Sequence, residues 1–495
     1  MKKFYVTTAI PYVNAVPHIG NALDYILADT LSRYYQKQRY SVFLSTGTDE
    51  HGQKIAQKAE EAGVTPQAYT DDMVVKFKEF AKHLGVEYSY WIRTTEPKHE
   101  KAAQALWTQL KDYIYKKSYT GLYCVGCERF YTETEAKENK GTCPLHNKPF
   151  ETISEENYFF KLGEFGDQIK EAIEGGMMKI VPESRAKEVT KWIDFGLEDV
   201  SISRDAKRMS WGIPVPGDEG QVMYVWFEAL MNYITTLEYP DGENFKTFWP
   251  ADVQIVGKDI LRFHAVIWPA MLLAMNVPLP QSILVHGMIQ SGGQKMSKTI
   301  GNVVAPSEII DVYGLDAFRY FFLRHIPTQE DGDFTWEKFE HAYNNELGNE
   351  LGNLVQRVAS MINRYQDGVI GTIPEAEHDV AMYHDSVAAL RLDRALDYVW
   401  ELIRGLNQFI EEEKPWEIAR EQDPTHLQEV LASAVSSILQ ISDLLVPFIP
   451  NVGKLIHSIF SKGVVQEYQG VLFPRIYNHT PDPKATQKPR AEKAA

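Results

Sequence analysis

The chain has 495 residues, with 51 Lys+Arg against 67 Asp+Glu, a formal net charge of −16, 44% hydrophobic and 12% aromatic residues. That length suits about three domains of roughly 150 residues each, and the apolar content exceeds what a disordered acidic chain carries. A disulfide-stapled peptide is excluded: the cysteines, Cys124, Cys127 and Cys143, crowd into one short stretch, which points to a metal site in a reducing compartment.

Met1-Lys2-Lys3 and the uncharged residues behind it resemble a secretory leader superficially, but Pro11, Asn14, Pro17 and His18 interrupt the apolar core a leader needs. Residues 4–8, aromatic and β-branched, read as a strand, and Leu23, Ile26, Leu27 and Leu31 then recur at helical spacing. His18-Ile19-Gly20-Asn21 therefore falls at a helix N-terminus. Residues 42–46 form a second apolar strand that runs into Gly47-Thr48-Asp49-Glu50-His51-Gly52, and residues 54–61 look helical. This strand–loop–helix rhythm implies a parallel α/β sheet.

The rhythm breaks between 118 and 225, which reads as an insertion, and resumes with strands at 253–256 and 283–285 around a helix at 260–275. That helical stretch contains Pro269 and is shorter than the ~20 apolar residues that span a bilayer, so a cytoplasmic protein without a membrane partner is expected. Beyond residue 333, amphipathic helices predominate to about 460. The fold class is α/β: a Rossmann-type parallel sheet split by an insertion and followed by an all-α bundle. The expected divisions are 1–117, 118–225, 226–335, 336–465 and a C-terminal extension, 466–495, whose last residues are Pro/Lys/Ala-rich and read as a disordered tail or linker.

Open α/β sheets bind ligands at their carboxyl edge, and a helix N-terminus there favours phosphate. Gly20 would let a nucleotide approach the backbone, and His18 could donate to a phosphate oxygen; a satisfied His beside a turn Gly is the plain alternative. Lys295-Met296-Ser297-Lys298-Thr299, preceded by Ser291-Gly292-Gly293-Gln294, puts two ammonium groups in a Gly-rich loop that could close over a polyphosphate, or could simply be solvated. Asp259 could hydrogen-bond a ribose or cap the next helix. Cys124-x2-Cys127 followed by Cys143-x2-His146 has the spacing of a closed tetrahedral zinc site, structural because no ligand position is left for water.

In the bundle, Asn345, Asn349 and Asn353 share a helical stripe continued by Arg357, with Gly348 and Gly352 forming another. Asn and Gly are poor helix formers, so either the glycines allow close packing or Asn349, Asn353 and Arg357 face unstacked bases of a single-stranded RNA loop. Trp416, at a helix start, could be a hydrophobic staple. The acidic total does not exclude RNA, since local Lys/Arg clusters and base contacts can bind it.

The ordered pair His18-Ile-Gly-Asn21 and Lys295-Met-Ser-Lys-Thr299 resembles the two ATP-binding motifs of the class I aminoacyl-tRNA synthetases, with Asn21 and Thr299 at positions that more often carry His and Ser. Ala9-Ile10-Pro11-Tyr12, Gly47-Thr-Asp49-Glu-His-Gly52, Tyr224-Val-Trp226-Phe-Glu-Ala229 and Gly257-Lys-Asp259-Ile-Leu-Arg-Phe-His264 with Trp268 resemble the methionyl-tRNA synthetase family in particular.

That resemblance implies ATP-dependent activation of L-methionine and its transfer to methionine tRNA, initiator and elongator, by a monomer. It implies His18, Asn21, Lys295 and Lys298 as catalytic. ATP is expected against His18, Gly20, Asn21, Gly257, Asp259, Lys295, Met296, Ser297 and Lys298, with Mg²⁺ accompanying it. Asp49 would take the methionine ammonium, and Ile10, Pro11, Tyr12, Trp226, Ala229, Tyr233, Ile260, His264 and Trp268 would line the side-chain pocket. Taken as residues alone, Trp226, Tyr233 and Trp268 read rather as ordinary core aromatics, buried for packing. A polarisable thioether gains about 0.3–1.5 kcal/mol against an aromatic ring, which suits such a wall. Asn349, Asn353, Arg357 and Trp416 would read the anticodon, and the zinc knuckle would be a single one, one Zn²⁺ per chain. The insertion is shorter than the editing domain of the isoleucine, leucine and valine relatives, which further favours methionine.

Overall fold

The computed structural model describes residues 2–124, 129–131, 133–144, 147–295, 304–376, 378–466 and 470–480. Contacts divide the chain into two units, residues 1–17 with 34–286, and residues 18–33 with 287–495.

The first unit is built on a six-stranded parallel sheet in the order Tyr90–Arg93, Ser41–Thr48, Lys3–Thr8, Val253–Gly257, Ser282–His286, Lys179–Val181. Its central strands are apolar and buried on both faces, as parallel strands covered by helices must be. From Lys3–Thr8 the chain adds Ser41–Thr48 and then Tyr90–Arg93 to one side, whereas Val253–Gly257, Ser282–His286 and the edge strand Lys179–Val181 lie on the other, so the order reverses between Lys3–Thr8 and Val253–Gly257. That reversal is the point where doubly wound sheets open a crevice at their carboxyl ends.

The expected insertion, 118–225, is not cut cleanly from this sheet. Its antiparallel sheet, in the order Arg129–Tyr131, Ile114–Cys124, Glu151–Phe160, Val200–Ser201, begins at Ile114. Lys179–Val181, inside the expected insertion, is an edge strand of the parallel sheet, pairing Ile180 with Ile283. A strand of three residues has too short an apolar run to stand out in the sequence.

The second unit opens with the helix Ile19–Lys37 as far as Arg33 and continues from 287. It holds a small sheet of Ile289–Ser291, Gln294–Lys295 and Gly332–Phe334, then helices that run from Trp336–His341 to Pro450–Phe460. A fully buried ion pair anchors the first helix: Arg319 Nη1 lies 2.8 Å from Asp29 Oδ2, while Arg319 Nε donates to the Phe448 carbonyl at 2.7 Å. Residues 342–352, expected as regular α-helix, are a π-helix, and Asn349 Nδ2 donates to Asn345 Oδ1 across one of its turns. Wide turns of this kind are rare and cluster at functional sites. Among the described residues no helix is long and apolar enough to cross a membrane.

Candidate active site

In the first unit, three loops leave the carboxyl ends of adjacent strands. Residues 9–13 follow Lys3–Thr8, residues 49–52 follow Ser41–Thr48, and the turn Lys258–Ile260 follows Val253–Gly257. The first two loops zip together beyond the sheet, since Asp49 N–H donates to Pro11 O at 2.9 Å and Val13 N–H to Asp49 O at 3.2 Å. Ile10, Pro11, Tyr12 and Asp49 are thereby brought side by side, with Asp49 3% exposed. The neighbouring Glu50 turns the other way. Its buried carboxylate accepts from Thr48 at 2.6 Å, from Thr95 at 2.5 Å and from Arg93 Nη2 at 2.7 Å, which clamps the loop from behind.

The aromatic wall comes from two interrupted helices. Val225–Leu230 carries Trp226 and Ala229, and the short turn Asn232–Thr235 carries Tyr233. The expected helix 260–275 is instead a 3-10 turn, Lys258–Ile260, a π-turn, Phe263–Ile267, and an α-helix, Trp268–Ala274. His264 on the π-turn donates from Nδ1 to the Ile260 carbonyl at 3.0 Å, so its Nε2 faces the Tyr233 hydroxyl at 2.7 Å as an acceptor. Tyr233, His264 and Trp268 are buried, and the Tyr233 and Trp268 rings lie 5.8 Å apart. Trp226 is only half-buried and stacks on Phe263 with ring centres 4.3 Å apart. Phe263 carried no expectation, although one residue before His264 in a wide turn is where a backing ring fits.

Asp259 is exposed and lies within the 3-10 turn, whose N-cap is Gly257; the cap alternative for Asp259 is therefore corrected. Gly257 has a packing reason to lack a side chain, since a Cβ there would come 2.7 Å from the Asp259 carboxylate.

Beneath the loop and the wall is a cluster that sequence reasoning missed. Glu228, fully buried, accepts from His51 Nδ1 at 2.8 Å and from His99 Nε2 at 2.9 Å, and His99 Nδ1 meets Thr235 Oγ1 at 2.8 Å. Burial disfavours the charged imidazole, but the Glu228 carboxylate outweighs it and raises His51 to about 10. Burial likewise works against the Glu228 carboxylate, and the His51 charge overcomes it and holds its pKa below the usual range. The available signal was a carboxylate inside the otherwise apolar run 225–231.

In the second unit, His18 stands at the start of the helix Ile19–Lys37. The Gly20 N–H donates to His18 Nδ1 at 3.1 Å and the His18 N–H to Asn21 Oδ1 at 3.1 Å, a reciprocal arrangement like a capping box. With Nδ1 accepting, the neutral ring carries its proton on Nε2. Gly20 leaves room for this fold-back, because a Cβ would sit 2.9 Å from His18 Cε1 and the ring would have to shift.

The remaining expected residues are placed unevenly. Lys295 ends the strand Gln294–Lys295, but its side chain and Met296, Ser297, Lys298 and Thr299 lie outside the described residues. Cys124 and Cys143 are buried in one small cluster with Tyr131, whose hydroxyl is 3.4 Å from Cys143 Sγ; Cys127 and His146 lie outside the described residues. In the bundle, Asn349 accepts from Arg475 at 2.7 Å, Arg357 pairs with Glu411, Asn353 is exposed, and Trp416 is half-buried in the first turn of Pro415–Glu421.

A family model described as tRNA synthetases class I (M) matches residues 4–152 and 139–359. The fold is thus that of a class I tRNA synthetase. Among relatives, the Clostridium acetobutylicum methionine–tRNA ligase is 42% identical over 92% of this chain and 73% of its own, and that of Streptomyces coelicolor 40% over 91% and 88%. The Mycobacterium tuberculosis methionyl-tRNA synthetase in complex with methionyl-adenylate superposes with a TM-score of 0.89 at 34% identity, covering 96% of this chain and all of that one. The chain belongs to the methionyl-tRNA synthetase family.

Proposed function

We propose that the chain is a methionine–tRNA ligase in which the first unit selects the amino acid and the two Lys/His motifs handle ATP. The observation that carries the reading is the wall of Tyr233, His264 and Trp268, three buried side chains of which the Tyr233 hydroxyl and the His264 imidazole are held by defined partners, on the same sheet edge as Asp49. Asp49 takes the methionine ammonium. Ile10, Pro11, Tyr12, Trp226, Ala229 and Ile260 complete a pocket in which a polarisable thioether meets ring faces.

The methionine carboxylate oxygen attacks the α-phosphorus of ATP in line, the bond to the β-phosphate oxygen breaks, and pyrophosphate leaves. A terminal hydroxyl of the tRNA then attacks the adenylate carbonyl and AMP leaves. Neither step needs a covalent enzyme intermediate, so the protein contributes positioning and charge stabilisation. His18 donates from Nε2 to a phosphate oxygen, Asn21 offers its amide hydrogens, Asp259 takes the ribose beside Gly257, and Lys295 and Lys298 meet the charge that grows on the leaving group. Mg²⁺ arrives with ATP and supplies charge neutralisation at the phosphates.

Cys124, Cys127, Cys143 and His146 would hold one structural Zn²⁺. The chemistry of that donor set fits, and the burial of Cys124 and Cys143 in one cluster supports it. Asn349, Asn353, Arg357 and Trp416 are the proposed anticodon readers of methionine tRNA, with the monomer as the proposed state and the cytoplasm as its compartment.

ATP–pyrophosphate exchange run separately with each amino acid tests the function. Exchange supported by methionine alone is expected; exchange driven by another amino acid would overturn the pocket assignment.

A further inference from the structure

Glu228 is not among the residues expected to meet substrate, yet its single carboxylate joins two of the elements that carry the amino-acid site. On one oxygen it holds His51, two residues from Asp49 in the loop 49–52. On the other it holds His99 of the helix Pro97–Gln109, and His99 in turn reaches Thr235, in the turn that carries Tyr233. Glu228 itself sits between Trp226 and Ala229 on Val225–Leu230. Trp211 closes the cluster from the remaining side: its indole N–H donates to Glu50 O at 2.6 Å, its carbonyl accepts from Gly52 N–H at 3.0 Å, and its ring lies 5.4 Å from His51.

We propose that Glu228 is a positioning residue for amino-acid recognition, acting through His51 to hold the Asp49 carboxylate ionised and aimed where the substrate ammonium arrives. The inference rests on the reading of Asp49 as the partner of that ammonium.

The charges and their order support it. The groups that face His51 are Glu228 and, at 3.7 Å, Glu100 on neighbouring helices, His99 beyond Glu228, and Asp49 on its own loop. Negative Glu228, positive His51 and negative Asp49 thus alternate towards the place where a positive ammonium completes the series. A carboxylate as buried as Asp49 is costly to keep ionised in the empty site unless a cation stands nearby, and His51 is one such cation. Burial alone would discharge His51, and of the carboxylates that oppose this Glu228 contributes most, ahead of Glu100 and Asp49. Glu228→Gln keeps the shape and a hydrogen bond to each histidine while removing the carboxylate charge that does most to hold the His51 proton, which weakens the positive charge beside Asp49.

The test uses full-length Glu228→Gln and two ligands that differ only in the ammonium, L-methioninol and its desamino analogue, with dissociation constants measured by calorimetry. In the native protein the ammonium is expected to improve binding at least ~10-fold, the value of one charge-assisted hydrogen bond. In Glu228→Gln that ratio is expected to fall towards one, with affinity for the desamino ligand and the KM for ATP unchanged. A purely structural role would weaken both ligands together and leave the ratio intact, and that result overturns the inference. A native ratio near one would instead overturn the reading of Asp49. Should Glu228→Gln fail to fold, His51→Gln, which leaves Glu228 its bond to His99, is measured in the same way; failure of both to fold would assign the cluster to stability alone and also overturn the inference.

Discussion

Asp49, Glu50 and His51 are consecutive, and each is committed to a different neighbour: the pocket, the Arg93–Thr95 strand end and Glu228. If Asp49 is the ammonium's partner, Asp49→Ala should strand a cationic amine in a dry site and weaken methionine binding at least ~10-fold, with ATP binding little changed; calorimetry with each ligand checks this. A transition-state role predicts a different pattern. Lys298→Ala is expected to slow adenylate formation at least ~10²-fold with methionine affinity retained, as removal of a single oxyanion donor does, and single-turnover kinetics with saturating methionine read it directly.

Elements rather than residues explain what sequence reasoning caught and what it missed. The strands Lys3–Thr8, Ser41–Thr48, Val253–Gly257 and Ser282–His286 announce themselves as apolar runs that end in polar loops, and the loops carry Asp49 and Asp259. The π-turn at Phe263–Ile267 does not, because its apolar pattern differs from an α-helix by one residue per turn, which is within the noise of periodicity over so short a span. Nor does the Glu228 cluster, whose hydrogen bonds join residues 177 and 129 positions apart. The proposed zinc knuckle rests on the spacing and chemistry of its donors. Cys143→Ser should lose about one zinc per chain and loosen the hairpin formed by Ile114–Cys124 and Glu151–Phe160, as metal analysis and hydrogen exchange over those strands would report.

At the scale of the whole molecule, two buried ion pairs make stability depend on conditions and on synthesis. His51, raised from 6.5 to about 10 in the folded protein, contributes stability that is fully present below 6.5 and is lost as pH rises towards 10. Glu228, whose folded value is lowered, contributes stability present above 4.5 and lost as pH falls below it. The melting-temperature gap between the native protein and His51→Gln should therefore be widest between 4.5 and 6.5 and shrink on either side, which a pH series of thermal melts checks.

The other pair, Asp29 with Arg319, has a consequence in time. The helix Ile19–Lys37, which follows His18, leaves the ribosome well before its buried partner Arg319 and the Phe448 carbonyl that holds Arg319. Between residues 29 and 448 a ribosome needs roughly 20–80 s at about 5–20 residues per second. Until residues 319 and 448 have both been made, Asp29 has Arg33, one turn away on its own helix, but not Arg319, so the anchorage of the helix behind His18, and with it the proposed nucleotide-binding motif, is completed long after the motif itself is synthesised.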